Sequence, residues 1–319
     1  MEQQKPVVAM TTAGCFAAIM LVIALLSTYI PFFAAIGHTI MPMPITIVYM
    51  KYSLRYAIMT GIVAAVLMGI FIDPVSAIIQ FVGFSIIGLT LGIGFRRQWP
   101  AAKMLISVTI ALVSVVIGLM GILYATMGVN IPGEFVQAFQ AAIDTTIAQS
   151  AQSGASDVQM VEVKAQLEQM RRVLPSLLPI LICLAMSITA YVNIKIAQLI
   201  LSRLGFSLRP FLPIRCWEIP RGMIYLYILA LVSKYWGNVW NLDWLSSLAL
   251  NVYGMAVFFI CVQGLAFIFA ILHQRFAMRT SIQVLIGVLV FIVPGVSMVP
   301  FFLGLFDMLV QYRKKHDMI

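Results

Sequence analysis

The chain runs to 319 residues, of which 62% are hydrophobic and 10% charged, with a mean hydropathy of +1.02 and a formal charge of +9. A soluble domain keeps roughly a quarter of its residues charged to build a water-facing shell, so this composition excludes an ordinary soluble fold. The positive excess falls between long apolar runs, where it reads as membrane topology and not as a nucleic-acid surface.

Each unpaired backbone group costs several kcal/mol in hydrocarbon, so the spans must be helices or a closed barrel, and continuous apolar runs select helices. A polar stub holding Lys5 precedes a first span over 11–36, which continues past Ser27 and so does not read as a cleavable signal peptide. Ala9, Ala13 and Ala17 stack on one face near its start, a surface suited either to close helix packing within the chain or to docking a partner. Residues 38–50 are apolar but short and broken by Pro42 and Pro44. Further spans are expected at 56–72, 76–95 and 104–127, with Asp73-Pro74 as a turn in which Asp73 caps the next helix.

Residues 129–174 are not membrane-like: they are rich in Gln, Ser, Thr and Asp, with helical propensity over 134–149 and 157–173. A span over 175–201 follows, then the irregular stretch 205–221, whose arginines, prolines and Trp217 suit a membrane interface. Spans at 222–236 and 245–272 come next. Residues 280–311, interrupted by Pro294, Gly295 and Pro300, form either one kinked helix or a hairpin of two short ones.

Charge decides the topology. With a cytosolic N-terminus, 38–50 crossing and a terminal hairpin, 16 of the 20 basic residues fall inside, and 129–174 falls outside. If 38–50 did not cross, Arg96, Arg97 and the cluster from Lys195 to Arg221 would face outward. The expectation is an all-α polytopic helical bundle of eight to ten spans, with both termini cytosolic. Its expected parts are a membrane domain over 1–204 with 129–174 as an external insertion, a cytosolic interfacial linker over 205–221, and C-terminal membrane helices over 222–319.

The small-residue face, the proline-rich Met41–Pro44, and the glycine-rich spans carrying Gly61 and Gly69, then Gly83, Gly88, Gly92 and Gly94 before Arg96-Arg97, together resemble the substrate-binding S components of energy-coupling factor vitamin transporters. The whole chain, with its extra C-terminal spans, resembles the YybS-like family of bacterial membrane proteins. The S-component resemblance implies a six-helix N-terminal block, an outward pocket for a small vitamin-like molecule, and docking of the Ala9, Ala13 and Ala17 face on a transmembrane coupling subunit with its ATPases. His38, Gln80 and Asn193 match the regions that line such a pocket; a solvated loop histidine and interhelical hydrogen-bond pairs are the alternatives for them.

No catalytic constellation is evident. The chain lacks a P-loop, an HExxH motif and clustered carboxylates, so no enzyme activity, metal or cofactor is expected. The four cysteines, Cys15, Cys183, Cys216 and Cys261, are scattered in or beside apolar segments and read as small buried residues. Lipid is the expected partner and nucleic acid is not. The rival to a small-molecule binding or transport component is a non-transporting membrane factor that acts through protein or lipid contacts.

Overall fold

A computed structural model describes residues 4–152, 157–209, 213–292 and 298–316, and its regular elements are all helices among these residues. Two compact units form: Met1–Gly133 with Ile182–Phe211, and Glu134–Leu181 with Leu212–Ile319. The polar segment 134–181 therefore packs with the C-terminal helices, whereas the sequence suggested a division near 204.

In the N-terminal unit, α1 (Gln4–Tyr29) ends earlier than the expected 11–36. Ile30 turns extended ahead of Pro31, and Pro31 opens α2 (Pro31–Ile40) at its first position, where the missing N–H is harmless. With α3 (Met43–Lys51), this gives one span over Pro31–Lys51, long enough to cross, in place of the short 38–50. The spans α4 (Leu54–Phe71), α5 (Pro74–Arg96) and α6 (Ala101–Met127) follow. Asp73 Oδ1 accepts the Val75 N–H at 2.8 Å, the expected cap of α5.

The proline-broken α3 is the centre of this unit, with Met43 to Val48 all buried. Its core includes Ala17, Met20 and Ala24 of α1, Ile45 and Val48 of α3, Ala57 and Ala64 of α4 and Phe84 of α5. Glycines on α5 admit the neighbouring chain: a Cβ at Gly88 would meet the Pro42 carbonyl at 2.7 Å, and one at Gly92 would meet the Tyr49 ring at 2.7 Å. Thr46 uses that closeness, donating to both Pro42 O and Gly88 O, so its buried hydroxyl is satisfied across the helix pair.

The C-terminal unit begins with α7 (Ile131–Gln152), all but its first three residues, and the first half of α8 (Asp157–Arg203). Helix α8 continues through Pro175 and Pro179, so the separate helices expected at 157–173 and 175–201 are one. Prolines remove ladder donors, and a foreign amide bridges the step next to Pro179: Asn251 Nδ2 donates to Ser176 O at 2.6 Å, while its Oδ1 accepts the Ile180 N–H at 3.2 Å. Asn251 lies on α10 (Asp243–Phe276), which follows α9 (Gly222–Val239). Trp236, Trp240 and Trp244 cluster around the α9–α10 turn as an interfacial aromatic belt.

The end of the chain is two short helices, α11 (Thr280–Ile292) and α12 (Val299–Val310), then the single turn α13 (Tyr312–Lys315). At 1.5 Å per residue, α11 and α12 reach only roughly 20 Å each, short of a ~30 Å hydrocarbon layer. Pro294 and Gly295, the expected break, lie outside the described residues, while Pro300 sits inside α12. Seven stretches, in α1, α2 with α3, α4, α5, α6, α8 and α10, are long and apolar enough to span a membrane among the described residues. Their outer faces carry large exposed apolar side chains such as Ile70, Ile110, Ile188 and Phe32, a surface that lipid covers and water does not tolerate at this extent.

Helices α10 and α12 cross backbone to backbone: a Cβ at Gly264 would fall inside the Pro300 carbonyl, and one at Gly304 inside the Ile260 carbonyl. Gly264→Ala should therefore force these helices apart and destabilise the protein by about 1–3 kcal/mol. Gly118→Ala, with nothing within 4 Å of the added methyl, should be neutral or stabilising by up to ~1 kcal/mol. Unfolding midpoints of the two variants in detergent check the contrast.

Candidate functional site

Of the residues singled out from sequence, His38 is exposed on α2; its Nδ1 lies 2.7 Å from Ala34 O of its own helix, and its ring stands edge-on to Phe84 at 5.9 Å. Gln80 is half-buried on α5, one helical turn before the Phe84 that His38 meets. Asn193 is 2% exposed and lies in a stripe of α8 whose other members, Ala190, Ile194, Ala197 and Leu201, are fully buried. Its Nδ2 donates to Thr189 O of the same helix, and its Oδ1 has no partner. No direct contact ties Asn193 to the other two. Ser85 Oγ, one residue past Phe84, is a second buried and unpartnered oxygen of the same unit, and sequence reasoning did not single it out.

Ala9, Ala13 and Ala17 are all buried within the N-terminal unit, where α1 packs against α3 and α4. The small-residue face packs inside the chain, the first of the two uses that the sequence left open. Close packing is what small residues permit in lipid, and the chain's own helices take the space.

The densest polar chemistry lies elsewhere, at the end of the C-terminal unit. Asp307 on α12 is 3% exposed and pairs with Arg313, 1% exposed, at 2.7 Å. Chain geometry makes the pair possible: Gln311 adopts the left-handed region at φ 53°, ends α12 and turns α13 back so that Arg313 faces Asp307. The Arg313 backbone N–H also donates to Asp307 Oδ1. Its Nη1 and Nη2 donate to the carbonyls of Arg215 and Trp217 at 2.7 and 2.9 Å, fastening the interfacial stretch after Pro213. Gln263 of α10 completes the set, its Nε2 donating to Asp307 Oδ2 and its Oε1 accepting the Ile219 N–H, each at 2.8 Å. One buried carboxylate therefore joins α10, α12, α13 and the linker.

Beside this cluster lies an open cleft of about 260 Å³, lined among others by Glu218, Arg221, Gln263, Gln311 and Lys314. A second cavity of about 360 Å³ in the same unit is lined by Phe267, Ile271, Arg275, Leu303, Phe306 and Tyr312. The sequence signal for the cluster is an aspartate in an apolar helix six residues before an arginine, which either snorkelling or pairing would explain. Nothing in it showed that Arg313, one of three consecutive basic residues, would be buried.

Spans of this length, with apolar outer faces and polar groups paired inside, define a polytopic membrane protein of the helical class. A family described as "Predicted membrane protein (DUF2232)" matches residues 18–308, and the chain belongs to it. It is similar to "Uncharacterized protein YybS" of Bacillus subtilis (strain 168), 24% identical over 294 residues that cover 92% of this chain and 94% of that protein. No solved structure matches the chain, and the likeness to S components rests on sequence features alone.

Removing one partner of a buried ion pair leaves an uncompensated charge, typically at a cost of about 3–5 kcal/mol. Arg313→Met should destabilise the protein by that order. Lys314→Gln, at a half-exposed neighbour paired with Glu218, should cost less than about 1 kcal/mol. Denaturant titration of the two purified variants distinguishes these outcomes.

Proposed function

We propose that the chain is a cell-membrane protein, with cytosolic termini and α9 as an eighth crossing, that binds a small molecule inside its N-terminal unit; it is a binding component and not an enzyme. The supporting observation is Asn193: an amide oxygen buried in an apolar helix face without a partner is costly, and a ligand donor would relieve it. His38 on α2 and Gln80 on α5 are the further polar groups this reading assigns to recognition of a vitamin-like molecule. Transport would require a coupling subunit with ATPases. Because Ala9, Ala13 and Ala17 are buried, such a subunit would have to dock on another face.

A second reading, a non-transporting factor acting through protein contacts, is favoured by the polar arm of α7 and α8. There Phe135 and Met170 stay half-exposed, and the Arg171–Asp144 ion pair ties the two helices.

The binding reading is tested by native mass spectrometry of the purified full chain and its Asn193→Leu variant. A small molecule should co-purify with the parent protein. The variant should bind it about 5- to 150-fold more weakly, the equivalent of about 1–3 kcal/mol for an unmet hydrogen bond. Freed of ligand, the variant should unfold at the same temperature or higher, since leucine fills the space without an unsatisfied oxygen. A ligand-free variant that unfolds markedly earlier would assign Asn193 to the fold and defeat this reading.

A further inference from the structure

The 260 Å³ cleft of the C-terminal unit carries three cations, Arg221, Arg313 and Lys314, against two carboxylates, Glu218 and Asp307. Their states differ. Asp307 is consumed by Arg313, Gln263 and the Arg313 backbone. Arg313 makes one hydrogen bond from each guanidinium nitrogen, and these use three of the five N–H hydrogens such a group carries, although the residue is almost wholly buried. Lys314 is held by Glu218 at 2.8 Å, with both side chains partly exposed. Arg221 is exposed at the N-cap of α9 and has no carboxylate within ion-pair distance among the described residues.

We propose that this cleft binds a phosphate-type anion between Arg221 and Lys314, with Glu218 as the internal competitor that gives up Lys314 when the anion arrives. An exposed ion pair such as Lys314–Glu218 is worth under about 1 kcal/mol, whereas a phosphate accepts several charge-assisted hydrogen bonds at once. The N-terminal end of α9 adds the positive end of an 18-residue helix dipole. The amide of Gln311 supplies a neutral donor in the same lining. Size sets the class of ligand: the cleft falls below the roughly 300–1,000 Å³ of a pocket for a drug-sized molecule, and it suits a phosphate group or a lipid headgroup. The buried Arg313–Asp307 pair fixes the wall, so the anion meets a site already built. This site lies in the C-terminal unit and does not depend on the ligand assigned to the N-terminal one.

The test uses the full chain in an uncharged detergent, with its unfolding temperature followed at constant ionic strength. One arm titrates inorganic phosphate against chloride, and the other titrates dihexanoyl phosphatidic acid. A saturable rise is expected in at least one arm: in the first for a soluble phosphate, in the second alone for a lipid headgroup. Arg221→Gln should move the half-saturating concentration up about tenfold, the loss of one charge-assisted contact. Glu218→Gln should move it down, because Lys314 is released and a repelling carboxylate is gone. Opposite shifts are what a merely structural role for these exposed residues would not produce. Each variant alone decides the matter should the other fail to fold. No saturable rise in either arm, or a rise that Arg221→Gln, Glu218→Gln and the remote control Arg97→Gln alter alike, would overturn the proposal.

Discussion

In hydrocarbon a peptide group without a hydrogen-bond partner costs several kcal/mol and an isolated charge costs more, and this constraint shapes the molecule at every scale. It makes the spans helical and drives most lysines and arginines to helix ends. There they rest on aromatic rings, as Arg96 does over Tyr49 and Lys103 over Trp99. It also dictates how irregularity is tolerated. Beside the two prolines inside α8, Asn251 bonds a carbonyl and an N–H of the neighbouring ladder step; the break between α2 and α3 is covered by the N-terminal core. A carboxylate in α12 is possible because Arg313 and Gln263 meet it.

Against that background the informative groups are those the constraint leaves unsatisfied. Asn193 Oδ1 and Ser85 Oγ are buried in the N-terminal unit without partners, whereas Thr46 in the same unit is doubly satisfied. An orphan oxygen in an apolar stripe is a cost that the fold does not recover. The C-terminal cluster shows the reverse pattern. Its acid is saturated and its role is architectural, and the chemistry left over belongs to the exposed cations beside it.

Much of the fold was legible from apolar run length and from Asp73, whose short side chain before Pro74 can only serve the turn it begins. The misread pieces have local physical causes. Residues 30–36 continue the apolar run of α1, so hydropathy could not see that Pro31 starts a new helix and lends 38–50 the length it lacks. The boundary expected between 173 and 175 followed the change from polar to apolar residues, which does not stop a helix, and the asparagine that bonds into the helix there lies 70 or more residues away. Ala9, Ala13 and Ala17 were legible as a close-packing face, but sequence does not say whose helix arrives there. The site was legible only as a set of polar residues at membrane depth. Burial separates Asn193 from the exposed His38, and Arg313 from Lys314 beside it, and burial is a tertiary property.

From α1 to α8, the charge pattern and the helix boundaries agree on one membrane topology. Arg97 and Ala148 are both exposed, and the account assigns them to opposite sides of the bilayer. Gln98 is a poorer probe, since its side chain bonds Ser207 and Arg209. Cysteine at Arg97 or Ala148, in a chain freed of its four native cysteines, is to be labelled on intact cells with a membrane-impermeant thiol reagent. The account predicts that the Ala148 position labels directly and the Arg97 position only after permeabilisation. Labelling of both positions from the same side would contradict it.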